Sequence, residues 1–301
     1  MLLALTSAAP CATSQTTPQP PTFGTGVEVI NLNLSVTDPQ NSYVTDLEQA
    51  DFAVYEDGIR QELTFFTHED LPISVVLMMD SSASMEEKRT EAQHAAIRLA
   101  QTLRAQDLAE VVEFNDRAIV LQAFTNDRAA VEAAILRTEA AGATALHNAV
   151  YVAIKRLQQD ARVGPLRRRA IVLFTDGEDT ASLVTDDQLL GLARSSEVSI
   201  YAIALRSARP QDRARRAYSQ AEYVMNALAR ETGGRAYFPT ALSELDAVYD
   251  RIAEELRTLY GVGYVSSNPR RDGKWRRIVV RVRGREGLSV RHRLGYYAPV
   301  G

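Results

Sequence analysis

From Ile73 onward the chain alternates predominantly apolar runs with stretches of helical period, and that alternation narrows the fold more than any other feature. The runs are ISVVLMM at 73–79, AEVVEF at 109–114, AIVLQAF at 118–124, AIVLF at 170–174 and VSIYAIAL at 198–205. Helical periodicity fills 85–105, 126–138, 145–160, 186–195, 217–231 and 242–258, with a short AYF strand before the last. A strand wetted on one face alternates polar with apolar residues, whereas one apolar throughout needs cover on both faces. The pattern therefore predicts an α/β fold: an open, doubly wound, Rossmann-like domain with a mostly parallel sheet.

The flanks follow a different rule. VEVINLNLSVTD (27–38) alternates apolar and polar residues, and FAVYEDGIRQELTFF (52–66) reads as two short runs around the turn signal Asp57-Gly58. After Gly261 come GVGYV, WRRIVVRVRG and LSVRHRLGYYA. In the second of these Ile278, Val280 and Val282 share one face, with Arg277, Arg281 and Arg283 on the other. Neither flank has enough strands to bury a core alone. Residues 26–70 and 260–298 are accordingly expected to join into one small β-sandwich, with residues 72–258 inserted between them as the α/β domain. Charge favours the pairing. Glu28, Asp38, Asp46, Glu48, Asp51, Glu56, Asp57 and Glu62 make the first flank acidic; Arg270, Arg271, Lys274, Arg276, Arg277, Arg281, Arg283, Arg285, Arg291 and Arg293 make the second basic. Exposed pairs contribute under about 1 kcal/mol each, and the basic strands could instead face an anionic envelope surface.

Composition excludes some classes of function. With 46% hydrophobic and 24% charged residues the chain of 301 residues can bury a core. A net charge of −4 gives no general attraction for nucleic acid. The opening MLLALTSAAPCATSQTTPQPPTF resembles the tail of a secretory signal peptide without its basic start, so residues 1–25 read as residual leader and linker. Export follows, to the periplasm, the cell envelope or the medium. Cys11 is the single cysteine, which excludes an internal disulfide and a cysteine-based zinc or redox site, and Pro10 before it fits a lipoprotein cleavage site badly. No run approaches the ~20 apolar residues of a transmembrane segment.

Ligands of an open parallel sheet bind beyond the carboxyl ends of its strands. ISVVLMM runs into Asp80-Ser81-Ser82-Ala83-Ser84, and AIVLF runs into Thr175-Asp176-Gly177-Glu178-Asp179. Between them Gly142-Ala143-Thr144 presents a hydroxyl before a helix. Asp80, Ser82, Ser84, Thr144 and Asp176 supply two carboxylates and three hydroxyls, an all-oxygen set that suits a hard cation such as Mg²⁺. Taken singly, Ser82 or Thr144 reads as a helix N-cap.

As a set, the Asp-x-Ser-x-Ser of Asp80, Ser82 and Ser84, the loop Thr144 and the Thr-Asp-Gly strand end at Asp176 resemble the metal-ion-dependent adhesion site of von Willebrand factor type A domains. The likeness spans roughly residues 72–258, and VEVINLNLSVTD, DFAVYEDG, GATALHNAV and the closing WRRIVVRVRG…RLGYYAP extend it to bacterial exported proteins related to that family. It implies a six-stranded sheet and direct metal contacts from Ser82, Ser84 and Thr144. It implies that Asp80 and Asp176 act mainly through water, and that a protein partner's Asp or Glu fills the open coordination position. Mn²⁺ is the expected substitute for Mg²⁺. Two alanines depart from the family pattern, Ala83 and Ala143, where a positive φ would strain them. His147 and Asn148 stand where Tyr and Asp are usual and read as helix residues without a role.

An Mg²⁺-dependent phosphoryl-transfer or hydrolytic enzyme is the alternative, and a metal-free scaffold of the same fold is the other. No phosphate loop, nucleophile elbow or His-Glu-x-x-His motif supports an enzyme, and none of His68, His94, His147 and His292 pairs with a nucleophile. Glu178 and Asp179 read as solvated loop carboxylates. The arginine-rich loop 206–216 is a further element that could shape partner choice.

Overall fold

The computed structural model describes residues 29–68, 71–160, 163, 167–176, 179–204 and 220–300. The leader with Cys11, Glu178 and the arginine-rich loop 206–216 lie outside the described residues. Four strands come first, β1 (Val29–Thr37), β2 (Phe52–Glu56), β3 (Ile59–Gln61) and β4 (Leu63–Thr67). Then follow β5 (Ile73–Asp80), α1 (Arg89–Thr102), β6 (Leu108–Phe114), β7 (Ala118–Thr125), α2 (Arg128–Leu136), α3 (Leu146–Gln159) and β8 (Arg168–Thr175). Next are α4 (Asp186–Ser195), β9 (Val198–Ala204), α5 (Gln220–Thr232), β10 (Ala236–Tyr237) and α6 (Leu245–Thr258). The chain closes with β11 (Tyr260–Val265), β12 (Trp275–Val282), β13 (Ser289–Arg291) and β14 (Gly295–Tyr297).

The central sheet has the order β10-β9-β8-β5-β6-β7. Its strands are parallel except β7, which runs antiparallel to β6 at the edge. All eight residues of β5 are buried, as a strand between two layers of helices requires. Val75, Leu77 and Met79 point into one layer with α1, α2 and α6, while Val76 and Met78 point into the other with α3, α4 and α5. The helix expected over 85–105 opens instead as a 3-10 turn, Ala83–Lys88, before α1. A loop that must turn sharply off a strand end tightens the first helical turn. Elsewhere the starts follow capping chemistry: Asp127 accepts from the amides of Ala129 and Ala130 at α2, and Thr185 and Gln188 form a capping box at α4.

The flanks form two antiparallel sheets, β13-β1-β11-β4 and β14-β12-β2-β3, and each mixes strands from both ends of the chain. Leu32, Leu34, Phe52, Val54, Tyr260, Val262, Tyr264, Ile278 and Val280 from both sheets pack in one cluster, so the sandwich has a core that neither flank could build alone. Asp57 and Gly58 have φ of 48° and 84°, the left-handed pair that a two-residue hairpin turn between β2 and β3 demands. The acidic and basic flanks meet at specific places. Arg285 grips Asp46 bidentately at 2.7 and 2.8 Å on the surface. Buried Glu56 takes the guanidinium of buried Arg276 at 3.2 Å and the hydroxyls of Tyr264, Ser266 and Tyr296.

Polar contacts also fasten the sandwich to the α/β unit. Glu255 of α6, fully buried, lies 2.5 Å from the guanidinium of Arg291 in β13 and accepts the hydroxyls of Tyr201 at 2.7 Å and Tyr43 at 3.0 Å. Arg291 also donates to the Gly234 carbonyl and the Ser35 hydroxyl. Arg168, at the start of β8, donates to the carbonyls of Leu256 and Leu259 and so closes the C-terminus of α6, where a cation is favoured.

His292 beside this junction sets an acid limit. Its Nδ1 lies 2.6 Å from the Arg293 carbonyl and its Nε2 accepts from the Val280 amide at 3.2 Å, a pattern open only to the neutral ring. Burial pushes its pKa below the ordinary 6.5, opposed by the bond to the Arg293 carbonyl and aided by the Arg293 charge. Between that depressed value and 6.5 the unfolded chain binds a proton the native chain refuses. His292 therefore contributes stability that is present above pH 6.5 and is lost as pH falls through the folded value. In denaturant titrations at pH 7 and pH 5, wild type is expected to lose more stability than His292→Gln, which keeps an acceptor but not the charge. Equal losses would contradict this assignment.

Candidate metal centre

The strand order reverses between β5 and β8. From β5 the chain proceeds through α1 to β6 on one side, and from β8 through α4 to β9 on the other. Such a switch point opens a crevice at the carboxyl ends of the two strands. Asp80 is the last residue of β5, and Asp176 follows Thr175, the last residue of β8. Backbone topology alone therefore brings the two carboxylates to one place.

Three loops are laced together there. The amide of Ala83 donates to the Gly142 carbonyl at 3.1 Å, and that of Ala141 to the Ser81 carbonyl at 2.6 Å, which joins the first loop to the second. The amides of Thr180 and Ala181 donate to the Thr144 carbonyl at 2.9 and 3.1 Å, and the Thr144 amide donates to the Thr180 hydroxyl at 3.1 Å, which joins the second to the third. Gly142 takes φ of 79°, the left-handed conformation the turn needs. Ala83 and Ala143 are not among the positive-φ residues, so neither departure from the family pattern strains the backbone.

Within this frame Asp80 is buried. Its Oδ1 accepts the Ser82 amide at 2.9 Å and its Oδ2 accepts the Thr175 hydroxyl at 2.5 Å. The hydroxyls of Ser82 and Ser84 lie 3.1 Å apart. Neither Ser82 at the 3-10 turn nor Ala145 at α3 makes a side-chain cap. The capping alternative thus fails for Ser82 and Thr144, and the Thr144 hydroxyl has no hydrogen-bond partner among the described residues. Ser84, Ala83, Gly142 and Ala143 are exposed around the buried Asp80, Ser82 and Thr144, so the cluster opens to solvent.

Burial pushes the Asp80 carboxyl above the usual carboxylate range, and the charge of Asp176 adds to this, while the bonds from Thr175 and Ser82 pull the other way. Two carboxylates held close in a poorly solvated crevice call for a cation. One is at hand: the Lys88 ammonium lies 3.7 Å from Asp176 Oδ2, both side chains mostly buried. Two carboxylates and three hydroxyls make a donor set that fits a hard divalent cation, with Asp80, Ser82, Ser84, Thr144 and Asp176 as the groups that would hold it, while the Lys88 ammonium offsets the Asp176 charge and competes with such a cation. Among the described residues no group of three His, Cys, Asp or Glu that could hold a metal occurs, and the proposed set has only two carboxylates.

Sequence reasoning missed the support around this cluster. Asn148 Oδ1 accepts the amides of Leu183 and Val184, and the Asn148 backbone amide donates to the Ser182 hydroxyl. His147, buried, holds Nδ1 3.3 Å from the Val184 carbonyl and 3.4 Å from both Asp179 and Asp186. Read as residues without a role, the two anchor the loop that carries Thr180. Lys88 left one signal, a lone lysine four residues after Ser84; Thr180 left none.

Comparison with known proteins agrees with the fold. Residues 75–178 match the model of the von Willebrand factor type A domain. A von Willebrand factor type A structure from Catenulispora acidiphila shares 12% identity at a TM-score of 0.50, over 92% of this chain and 75% of that one. Proximal thread matrix protein 1 of the mussel byssus, solved with zinc in its MIDAS motif, shares 13% identity at a TM-score of 0.51, over 67% of this chain and 49% of that one. At such identities the likeness shows the fold. No curated protein matches the sequence.

Proposed function

Since the chain is a von Willebrand factor type A domain protein, we propose that it binds a protein partner through one Mg²⁺ held by Asp80, Ser82, Ser84, Thr144 and Asp176. A partner's Asp or Glu completes the coordination, and Mn²⁺ serves as a substitute. Domains of this family are generally interaction modules rather than enzymes. The observation that supports the reading is the state of the hydroxyls: those of Ser82 and Thr144 are not spent on helix caps, and the Ser82 and Ser84 hydroxyls lie 3.1 Å apart beside the buried Asp80. The bound metal would supply a Lewis-acid centre for an anionic ligand. The chain's own residues hold the loops in register, keep Asp80 oriented through Thr175 and Ser82, and leave one side open.

The zinc in the mussel protein belongs to that protein; here a set without His or Cys favours Mg²⁺. A phosphoryl-transfer or hydrolytic enzyme would need a base or nucleophile beside the metal, and Ser82 and Ser84 serve as ligands. Residues 72–258 form the binding unit, with 26–70 and 260–298 as its mount. Export to the periplasm, the envelope or the medium belongs to this reading, and the leader-like composition of residues 1–25 supports it. No described helix is long and apolar enough to cross a membrane.

Leu183, 90% exposed on the loop that bonds Thr144, offers such a partner an apolar contact beside the metal. Adding Mg²⁺ or Mn²⁺ is expected to raise the thermal midpoint, by roughly 2.7 kcal/mol of stability at a hundredfold excess over Kd, and EDTA to reverse it. A midpoint indifferent to both would end this reading. Leu183→Asp is expected to reduce partner capture while leaving Mg²⁺ affinity unchanged.

A further inference from the structure

The 3-10 turn Ala83–Lys88 carries Ser84 near its start and Lys88 at its end. Met85 is buried in the core with α1, and its amide bonds the Ser82 carbonyl at 3.0 Å, so the backbone of the turn is pinned. The lysine side chain is not. It is a flexible four-carbon stem ending in a compact charge, which can swing without moving the main chain. Its ammonium lies 3.7 Å from Asp176 Oδ2, and among the described residues Asp176 is the one carboxylate within ion-pair distance of it. A charge-assisted N–H···O bond is about 2.7–2.9 Å long, so this contact is electrostatic and easily parted.

Asp80 and Asp176 bring two negative charges to the crevice and Lys88 one positive. A dication on the carboxylates reverses the sign: the loaded centre carries one net positive charge, shared between the metal and an ammonium whose counter-ion has been taken. A single carboxylate from outside cancels it. Without the lysine the loaded centre would be neutral, and an incoming carboxylate would leave it negative beside the buried Asp80, where charge is poorly solvated. The lysine therefore opposes the metal and favours the anion that follows it.

Resting on the Mg²⁺ reading above, we propose that Lys88 is the second anchor for the acidic partner: Mg²⁺ displaces its ammonium from Asp176, and the freed ammonium pairs with the Asp or Glu carboxylate that reaches the metal. A carboxylate has two oxygens and can serve both cations at once. Partner binding is thereby made conditional on the metal, since the same carboxylate meets a net negative centre before Mg²⁺ arrives and a net positive one after. Lys88 selects for an anionic ligand over an amide or carbonyl ligand, which the metal alone would also accept.

Amine acetylation of the full chain, read site by site by mass spectrometry, follows the ammonium directly, because the sequence has only two other lysines, Lys155 and Lys274. In EDTA Lys88 is expected to react more slowly than exposed Lys274; saturating Mg²⁺ is expected to raise its rate several-fold and leave the other two unchanged. A capped Gly-Asp-Gly peptide is then titrated calorimetrically into the Mg²⁺-saturated chain, with capped Gly-Asn-Gly as control. Its binding is expected to weaken about fivefold in Lys88→Met, the upper range for an exposed ion pair, and to be largely kept in Lys88→Arg. A Lys88 acetylation rate indifferent to Mg²⁺ would overturn the proposal, and that measurement needs no variant to fold. So would peptide binding that is equal in wild type and Lys88→Met, or absent from both. If the thermal midpoint also ignores Mg²⁺, the metal reading fails as well; if the midpoint rises, the role of Lys88 alone fails.

Discussion

Asp80→Ala is expected to weaken Mg²⁺ binding by about a hundredfold or more, while the metal-free protein stays folded and loses little stability. The first half follows from the position of Asp80: its two oxygens hold the Ser82 amide and the Thr175 hydroxyl, so its removal frees the loop that carries two hydroxyl ligands as well as deleting a charge. The second half follows from burial, which already raises the Asp80 pKa and makes its charge a burden without a cation. Asp80→Asn separates the two effects, because it keeps an acceptor for Ser82 and loses the charge. Lys88→Met should shift affinity the other way, by a few-fold, since the ammonium beside Asp176 opposes an incoming dication. Isothermal titration with Mg²⁺ and Mn²⁺, paired with thermal melts in EDTA, measures both halves. An Asp80→Ala variant that still binds Mg²⁺ at wild-type strength would refute the ligand assignment.

The largest loss of stability is expected at Glu255. Removing it as Glu255→Leu leaves the Arg291 guanidinium and the hydroxyls of Tyr43 and Tyr201 facing an apolar group in a buried junction. Breaking one side of a buried ion pair costs about 3–5 kcal/mol, which in a chain of this size lowers the midpoint by on the order of 10 °C. Burial, and then the charge of Glu255, hold the tyrosines well above their usual pKa, so both remain donors over the working pH range. Removing Arg291 as well, in Glu255→Leu with Arg291→Leu, should recover much of the loss. If the double variant is no better than the single one, the cost lies in packing and not in the stranded charge. Urea titration of wild type, Glu255→Leu, Arg291→Leu and the double variant decides this.

The sheet was legible because a strand buried on both faces has little choice of residue, and β5 and β8 announce themselves. The sandwich was legible by elimination: Ile278 and Val280 needed a face to cover them, and only the other flank offered one. That Asp80 and Asp176 end up side by side was legible because β5 and β8 end at the switch point, where topology does the gathering; that they act as metal ligands with Ser82, Ser84 and Thr144 is the proposed reading. The edge strand β7 gave no sign of its antiparallel direction, since AIVLQAF reads the same either way and only the short turn after Phe114 decides it. Nor could pattern show which flank charges pair. Glu56 and Arg276 look like their neighbours in sequence, yet they are buried together while Arg277 and Arg281 stay exposed. Contacts such as Thr180 to Thr144 depend on where loops fold back, which side-chain type does not record.

The interleaving of the two flanks has a consequence in time. β1 pairs with β11 and β13, and β2 with β12, so every one of those ladders joins chain ends that the whole α/β unit separates. During synthesis, at roughly 5–20 residues per second, the first four strands wait on the order of ten seconds or more for their partners. Over that interval the apolar face of Leu32, Leu34 and Val54 has no cover from β11 or β12, and the inserted sheet, whose contacts are nearer in sequence, is free to fold first. Once it has, α6 and β5 hold the two flanks side by side, and a search over a long flexible loop becomes one over a short gap. The sandwich made first is thus completed last, and a factor that shields early strands would act on residues 29–67 before it could act on anything else.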